Sequence, residues 1–173
     1  MTPRLRSGQQ PSGKSDWETP DDLMAVLRAE FTETGHFSFD AAANHENRKE
    51  HIYCGPGGSG AASCISPDGL SAKWYGQVYC NPPYGRDIGK WVKKCWHEVD
   101  CGNAELVVAL LPVATDTAWW WFVAGATEVR FLKGRVTFVG AAGPAPFASA
   151  IVVWRRGMLG WHRVSYWDWK VKT

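Results

Sequence analysis

No apolar run in the chain is long enough to cross a bilayer, and the opening Met1-Thr2-Pro3-Arg4-Leu5-Arg6 lacks the apolar core of a signal peptide. A cytoplasmic protein, with no membrane partner, is expected. Cysteines are few and odd in number: Cys54, Cys64, Cys80, Cys95 and Cys101 form no paired framework and suit reduced thiols. Cys54 and Cys64 with His51 match no common zinc spacing, so no metal is expected. No glycine-rich loop closes on Gly-Lys-Ser/Thr, which excludes a P-loop. Net charge is only +2, so a nucleic-acid partner cannot be argued from overall charge.

Internal repeats and linkers are also missing. With 173 residues, 45% of them hydrophobic, the chain can build one core and has little room for a second. Residues 1–15 are polar and rich in Gly, Pro and Ser, so a disordered arm is expected there, followed by a single domain over 16–173. Cations collect at the ends: Arg4, Arg6 and Lys14 at the start, and Arg155, Arg156, Arg163, Lys170 and Lys172 late on. They are either solvated termini or a track for phosphates.

The chain does hold a clear alternation of elements. Thr19 suits an N-cap, Pro20 the first helical position, and Asp21 and Asp22 the positive end of the helix dipole. Leu23, Val26, Leu27 and Phe31 then keep helical spacing, which predicts a helix over about 20–31. The same helix start offers free N–H groups to a ligand carboxylate. Phe37-Ser38-Phe39-Asp40 reads as a strand ending in an acid, followed by Ala41-Ala42-Ala43. At a strand end, Asp40 is either a turn residue or a partner for a ligand ammonium or ribose hydroxyl. Residues 54–64 read as a flexible loop. Asp68 is either a turn residue or an acceptor for an adenine amino group.

A second helix is expected over 86–99, a buried central strand over 106–111, and a helix through Trp119-Trp120-Trp121-Phe122 stopped near Gly125. Strands are expected around Val129–Phe131, Val136–Phe138, Ala150–Trp154 and within 159–169. Helices alternating with strands, with paired strands late in the chain, predict an α/β sheet carrying an antiparallel C-terminal edge.

The most pointed stretch is Val78-Tyr79-Cys80-Asn81-Pro82-Pro83-Tyr84, an apolar strand running into Asn-Pro-Pro-Tyr. Two prolines fix φ and carry no N–H, so the turn is stiff. It is either a rigid loop with a packing tyrosine or a site for an amine. The exocyclic amine of adenine is a poor nucleophile because its lone pair is delocalised. A site that alkylates it must accept both N–H groups, which Asn81 and the Pro82 carbonyl can do. Tyr84 offers a flat face for an unstacked base.

In order, Asp16-Trp17-Glu18-Thr19-Pro20, Phe39-Asp40-Ala41-Ala42, Asp68-Gly69-Leu70 and Asn81-Pro82-Pro83-Tyr84 resemble the phage-encoded DNA adenine N6-methyltransferase (Dam-like) family. Leu110-Leu111-Pro112, Thr115-Asp116-Thr117 with Trp121, Lys133-Gly134-Arg135-Val136-Thr137-Phe138 and Pro146-Phe147-Ala148-Ser149-Ala150 are similar to its later blocks. The resemblance spans about residues 16–154. It implies a Rossmann-like methyltransferase sheet with helices on both faces, S-adenosylmethionine as cofactor and double-stranded DNA as partner, in a phage or its bacterial host.

By the same resemblance, Trp17, Thr19 and Pro20 line the cofactor's methionine side. Asp40 meets its amino group or the neighbouring edge, and Asp68 approaches its adenine. Asn81, Pro82, Pro83 and Tyr84 hold the target adenine. Arg135 either meets a phosphate or stabilises its loop. One departure is visible: the glycines usual after the strand-end Asp are Ala43, Asn44 and His45 here. Asn-Pro-Pro-Tyr is also shared with RNA and protein-glutamine methyltransferases, so RNA adenine, cytosine N4 or a protein glutamine are the alternative acceptors. A non-catalytic nucleic-acid-binding protein on the same fold is the alternative of another class.

Overall fold

The computed structural model describes residues 17–56, 62–160 and 163–170. The arm expected over 1–15, with Asp16, lies outside the described residues. In chain order the elements are α1 (Asp21–Phe31), β1 (Phe39–Asp40), β2 (Tyr53–Cys54), β3 (Cys64–Ser66), β4 (Gly76–Cys80), α2 (Ile88–Asp100), β5 (Ala104–Pro112), a 3-10 helix (Ala118–Gly125), β6 (Glu128–Leu132), β7 (Ser149–Arg155) and β8 (Arg163–Trp167).

All eight strands join one sheet in the order β3-β2-β1-β4-β5-β7-β6-β8. β5 sits near its middle and is buried at every position but Glu105, as a continuous apolar run requires. β1 to β5 run parallel, and β7 alone is antiparallel, inserted between β5 and β6. This is the expected α/β sheet, with one difference in detail. The reversed strand lies inside the sheet, and the edge strand β8 runs parallel to β6.

Side chains alternate across the sheet, and β4 shows which helix covers which face. Tyr79 reaches Thr19 at the start of α1, with 2.6 Å between their oxygens. Its neighbour Cys80 points the other way, to Cys95 of α2. α1 and α2 therefore cover opposite faces. The 3-10 helix packs along α2, where Gly89 and Gly125 leave room for Trp119 and Trp96. On the α1 face of β6, Arg130 is buried between Glu128 and Glu30, at 2.7 Å from each, and lies over the rings of Phe31 and Trp167.

Two sequence expectations are corrected. The ends of the glycine-rich stretch are short strands, β2 and β3, which extend the sheet by one residue pair between β1 and β2 and two between β2 and β3. Val136–Phe138 is not a strand. Both sides of β6, the strand it follows, are already taken by β7 and β8, and the segment pairs with neither outer edge of the sheet, β3 or β8. That segment instead folds back over the cleft end of the sheet. Val139 N–H donates to the Glu18 carbonyl, and Phe138 packs on Trp17 with ring centroids 5.2 Å apart.

Close backbone approach is needed at Gly69. A Cβ there would run into the Ala41 carbonyl oxygen and stand 2.8 Å from the Trp91 ring. The first obstacle is backbone and cannot rotate away. Gly69→Ala should therefore cost about 1–3 kcal/mol, lowering the melting temperature by roughly 2–4 °C per kcal/mol. A thermal melt indistinguishable from wild type would show that the β1–Trp91 packing is looser than described.

Candidate functional site

The sheet order changes direction between β1 and β4. From β1 the chain works outward through β2 and β3, and from β4 it works outward the other way. Beyond the carboxyl ends of two such strands lies a crevice that no connecting loop crosses. Asp40 ends β1, Asn81 follows β4, and Asp40 pairs with Tyr79 across the two strands. Two neighbouring pockets open there. One is polar and is lined by Trp17, Glu18, Thr19, Asp40, Asn81, Pro82 and Pro83, together with Asn47, Lys49 and Tyr79. The other is more apolar, with Ala42, Ala43, Gly55, Asp68, Gly69, Pro83 and Trp91 in its walls. Ala42, Asn47 and Pro83 belong to both, so the pockets form one cleft.

Asn81 is held by its amide nitrogen. Nδ2 donates to the Trp17 carbonyl and, at 3.0 Å, to Thr19 Oγ1, which in turn bonds the buried Tyr79 hydroxyl. The Trp17 carbonyl can only accept, so the NH2 end of the amide must face it. Oδ1 then points the other way, and it is buried with no hydrogen-bond partner among the described residues. A buried acceptor left unpaired costs roughly 1–3 kcal/mol, and in a native fold such an atom calls for an explanation. The next residue, Pro82, is buried, and its carbonyl accepts no hydrogen bond among the described residues.

Asp40 is 3% exposed. Its Oδ1 accepts from the Ala42 N–H at 3.3 Å and its Oδ2 from the Lys49 N–H at 3.0 Å. Burial pushes its carboxyl up from 3.8 to about 6, against the pull of those two hydrogen bonds. Lys49 Nζ stands beside the same pocket, tied to Glu18 at 2.9 Å and Asp21 at 2.8 Å.

The other expected residues fall in several places. Asp68 is exposed at the second pocket, with Oδ1 accepting the Leu70 N–H at 2.9 Å. Pro20 lines neither pocket. It precedes α1, where its carbonyl accepts the Met24 N–H at 3.1 Å. Thr19 was expected to cap that helix, but makes no capping bond because its hydroxyl is committed to Asn81 and Tyr79. Arg135 is exposed and makes no ion pair among the described residues.

Tyr84 departs furthest from expectation. It is 3% exposed, its hydroxyl donates to the Leu110 carbonyl at 3.0 Å, and its ring meets Phe138 and Phe147 edge-on at 6.1 and 5.5 Å. As folded it presents no open face for stacking. Asn47 and Lys49 were missed in the sequence, where they look like part of a polar surface run. The only local signal is the Asn44 side chain, which accepts the Glu46 and Asn47 N–H groups and turns that run back toward the cleft.

A carboxyl that titrates near 6 instead of 3.8 disfavours the folded state by about 3 kcal/mol once ionised. Between those values the unfolded chain has already lost the proton that the folded one keeps. Stability should thus fall as pH rises from about 4 to about 6 and then level off. Asp40→Asn should remove that component, which denaturant titrations across the range would detect. An unchanged pH profile would contradict the burial argument.

No curated protein matches the chain. The family described as DNA N-6-adenine-methyltransferase (Dam) matches residues 6–156, which includes every site residue discussed above. The chain belongs to the DNA N-6-adenine-methyltransferase family.

Proposed function

We propose that the chain methylates the exocyclic amine of an adenine in double-stranded DNA, with S-adenosylmethionine as donor. The unpaired, buried Asn81 Oδ1 at the switch point of the sheet is the observation that carries this reading. An amine brought to the cleft can donate one N–H to Asn81 Oδ1 and the other to the Pro82 carbonyl. Both bonds draw the nitrogen lone pair out of the ring and strengthen as positive charge develops on nitrogen, which is where preorganised dipoles contribute most.

The cleft fits the donor in chemical kind. Asp40, in the polar pocket, supplies an anion for an ammonium. The walls at Ala42, Ala43, Gly69 and Trp91 suit a flat purine, with Asp68 as acceptor for its amino group. S-adenosylmethionine, when bound, supplies a methyl group activated by a positively charged sulfur. The protein's part is to hold the nitrogen in line with it and to exclude water. Transfer would form the nitrogen–methyl bond as the sulfur–methyl bond breaks, with Asn81 Oδ1 and the Pro82 carbonyl holding the nitrogen and the amine's extra proton passing to solvent afterwards.

A base must leave its stack to reach Asn81. Because Tyr84 is covered by Phe138 and Phe147, the base can meet its face only if the partly exposed Phe147 gives way. Arg135, exposed beside that segment, is placed to meet a backbone phosphate of the same strand.

The direct test is transfer of labelled methyl from S-adenosylmethionine to unmethylated duplex DNA, with nucleoside analysis of the product. Label in N6-methyldeoxyadenosine is expected. Label in cytosine, RNA or protein instead would reassign the acceptor, and cofactor binding without any transfer would sink the proposed chemistry. Asn81→Ala should lower turnover by about 100- to 1,000-fold, while Asn81→Asp, which keeps an acceptor oxygen, should lose less. Equal losses in both would shift Asn81 from the amine to the Trp17 clamp. Ionised Asp40 is needed for an ammonium, so cofactor affinity should drop as pH falls through about 6, measured by calorimetry on either side.

A further inference from the structure

The outward side of α2 carries a row of cations that the site chemistry does not use. Lys90, Lys93 and His97 are exposed, and Arg86 stands exposed in the turn just before the helix. Spaced three and four residues apart, Lys90, Lys93 and His97 fall within about 60° of the helix circumference. The opposite arc is Ile88, Trp91, Val92, Cys95 and Val99, all buried against the sheet. Lys90, Lys93, Lys94 and His97 border a shallow groove with Leu70.

This groove adjoins the cleft. Asp68 and Gly69 line the apolar pocket and Leu70 the groove, while Trp91 lines that pocket and Lys90 the groove. Arg86 follows Tyr84 by two residues.

Several of the other described cations are engaged, whereas Arg48, Lys73, Arg135, Arg155, Arg156 and Lys170 also lack an ion pair among the described residues. Lys133 pairs with Asp168 at 2.6 Å, Arg163 with Glu128 at 3.4 Å, and Arg130 is enclosed by Glu30 and Glu128. Lys94 is paired with Glu98 at 2.7 Å and lies over Trp74. Lys49 is tied to Glu18 and Asp21. Arg86 and Lys93 have no ion pair among the described residues, and the Lys90–Asp87 pair is solvent-exposed on both sides, so water and salt compete with it. On the opposite face of the sheet, α1 exposes Asp21, Asp22 and Glu30, with Glu33 soon after. The two helices that flank the cleft thus have opposite charge.

We infer that the outward row of α2, Arg86, Lys90 and Lys93, is the surface that tracks the DNA backbone beside the target nucleotide. The α1 side, being acidic, faces away from the duplex. This rests on the reading of the chain as one that acts on DNA. It adds which face the duplex lies against, and it accounts for DNA binding by a protein whose net charge is only +2. Each lysine or arginine that neutralises a phosphate releases counterions and steepens the salt dependence of binding.

The test is the binding of a short fluorescein-labelled duplex by the full chain, followed by anisotropy across a salt series. The variant is Arg86→Gln/Lys90→Gln/Lys93→Gln, with Lys73→Gln as the exposed-cation control. The slope of log affinity against log salt should become shallower by roughly 0.9 for each phosphate left without its cation, up to about 2.7 for the triple variant. KM for duplex should rise while kcat at saturating duplex, and cofactor affinity by calorimetry, stay at wild-type values. A triple-variant slope equal to wild type, or one matched by Lys73→Gln, overturns the inference. Wild-type duplex binding that depends on the row but never yields methylated adenine leaves this surface standing and removes the proposed reaction.

Discussion

The cleft depends on one clamp, the Asn81 amide against the Trp17 carbonyl and the Thr19 hydroxyl. It joins two segments more than 60 positions apart, 64 for Trp17 and 62 for Thr19, at the point where β4 leaves the sheet. Each bond is worth only about 1 kcal/mol net. Its larger effect is directional. With both donors of the amide committed, the oxygen has a single orientation, and that orientation leaves it unsatisfied.

The rest of the architecture supports this arrangement. Parallel β1 and β4 bring Asp40 and Asn81 to the same edge, and burial under α1 places Tyr79 where it can brace Thr19. The two acids and one lysine around α1, Glu18, Asp21 and Lys49, tie the cleft's rim to the helix. Asp40 opposes stability once ionised, so a ligand cation that takes up its charge relieves a cost already present in the fold.

Much of this is legible in sequence where the determinant is local. Thr19-Pro20-Asp21-Asp22 announces α1, the apolar run announces β5, and Asn-Pro-Pro-Tyr marks a stiff turn at a strand end. What is hidden depends on distant partners. β2 and β3 are too short to show a period. Val136–Phe138 alternates like a strand, and only the full sheet order reveals that both sides of the preceding strand β6 are occupied. Tyr84 looks like an open platform until Phe138 and Phe147 are seen to close over it. The basic row on α2 is readable as helical spacing, but its meaning comes from the acidic α1 on the other face.

The single reversed strand has a consequence for how the chain is made. β5 is almost wholly apolar, and its far edge pairs with β7, which begins only at Ser149, well downstream of Pro112. β6 is made earlier, yet it joins β5 only through β7. During synthesis the most apolar strand of the protein therefore waits with one edge open, and β6 waits with it. Neither β7 nor β6 can join β5 until residues 149–155 have emerged, and β8 can add to β6 only after residues 163–167 follow.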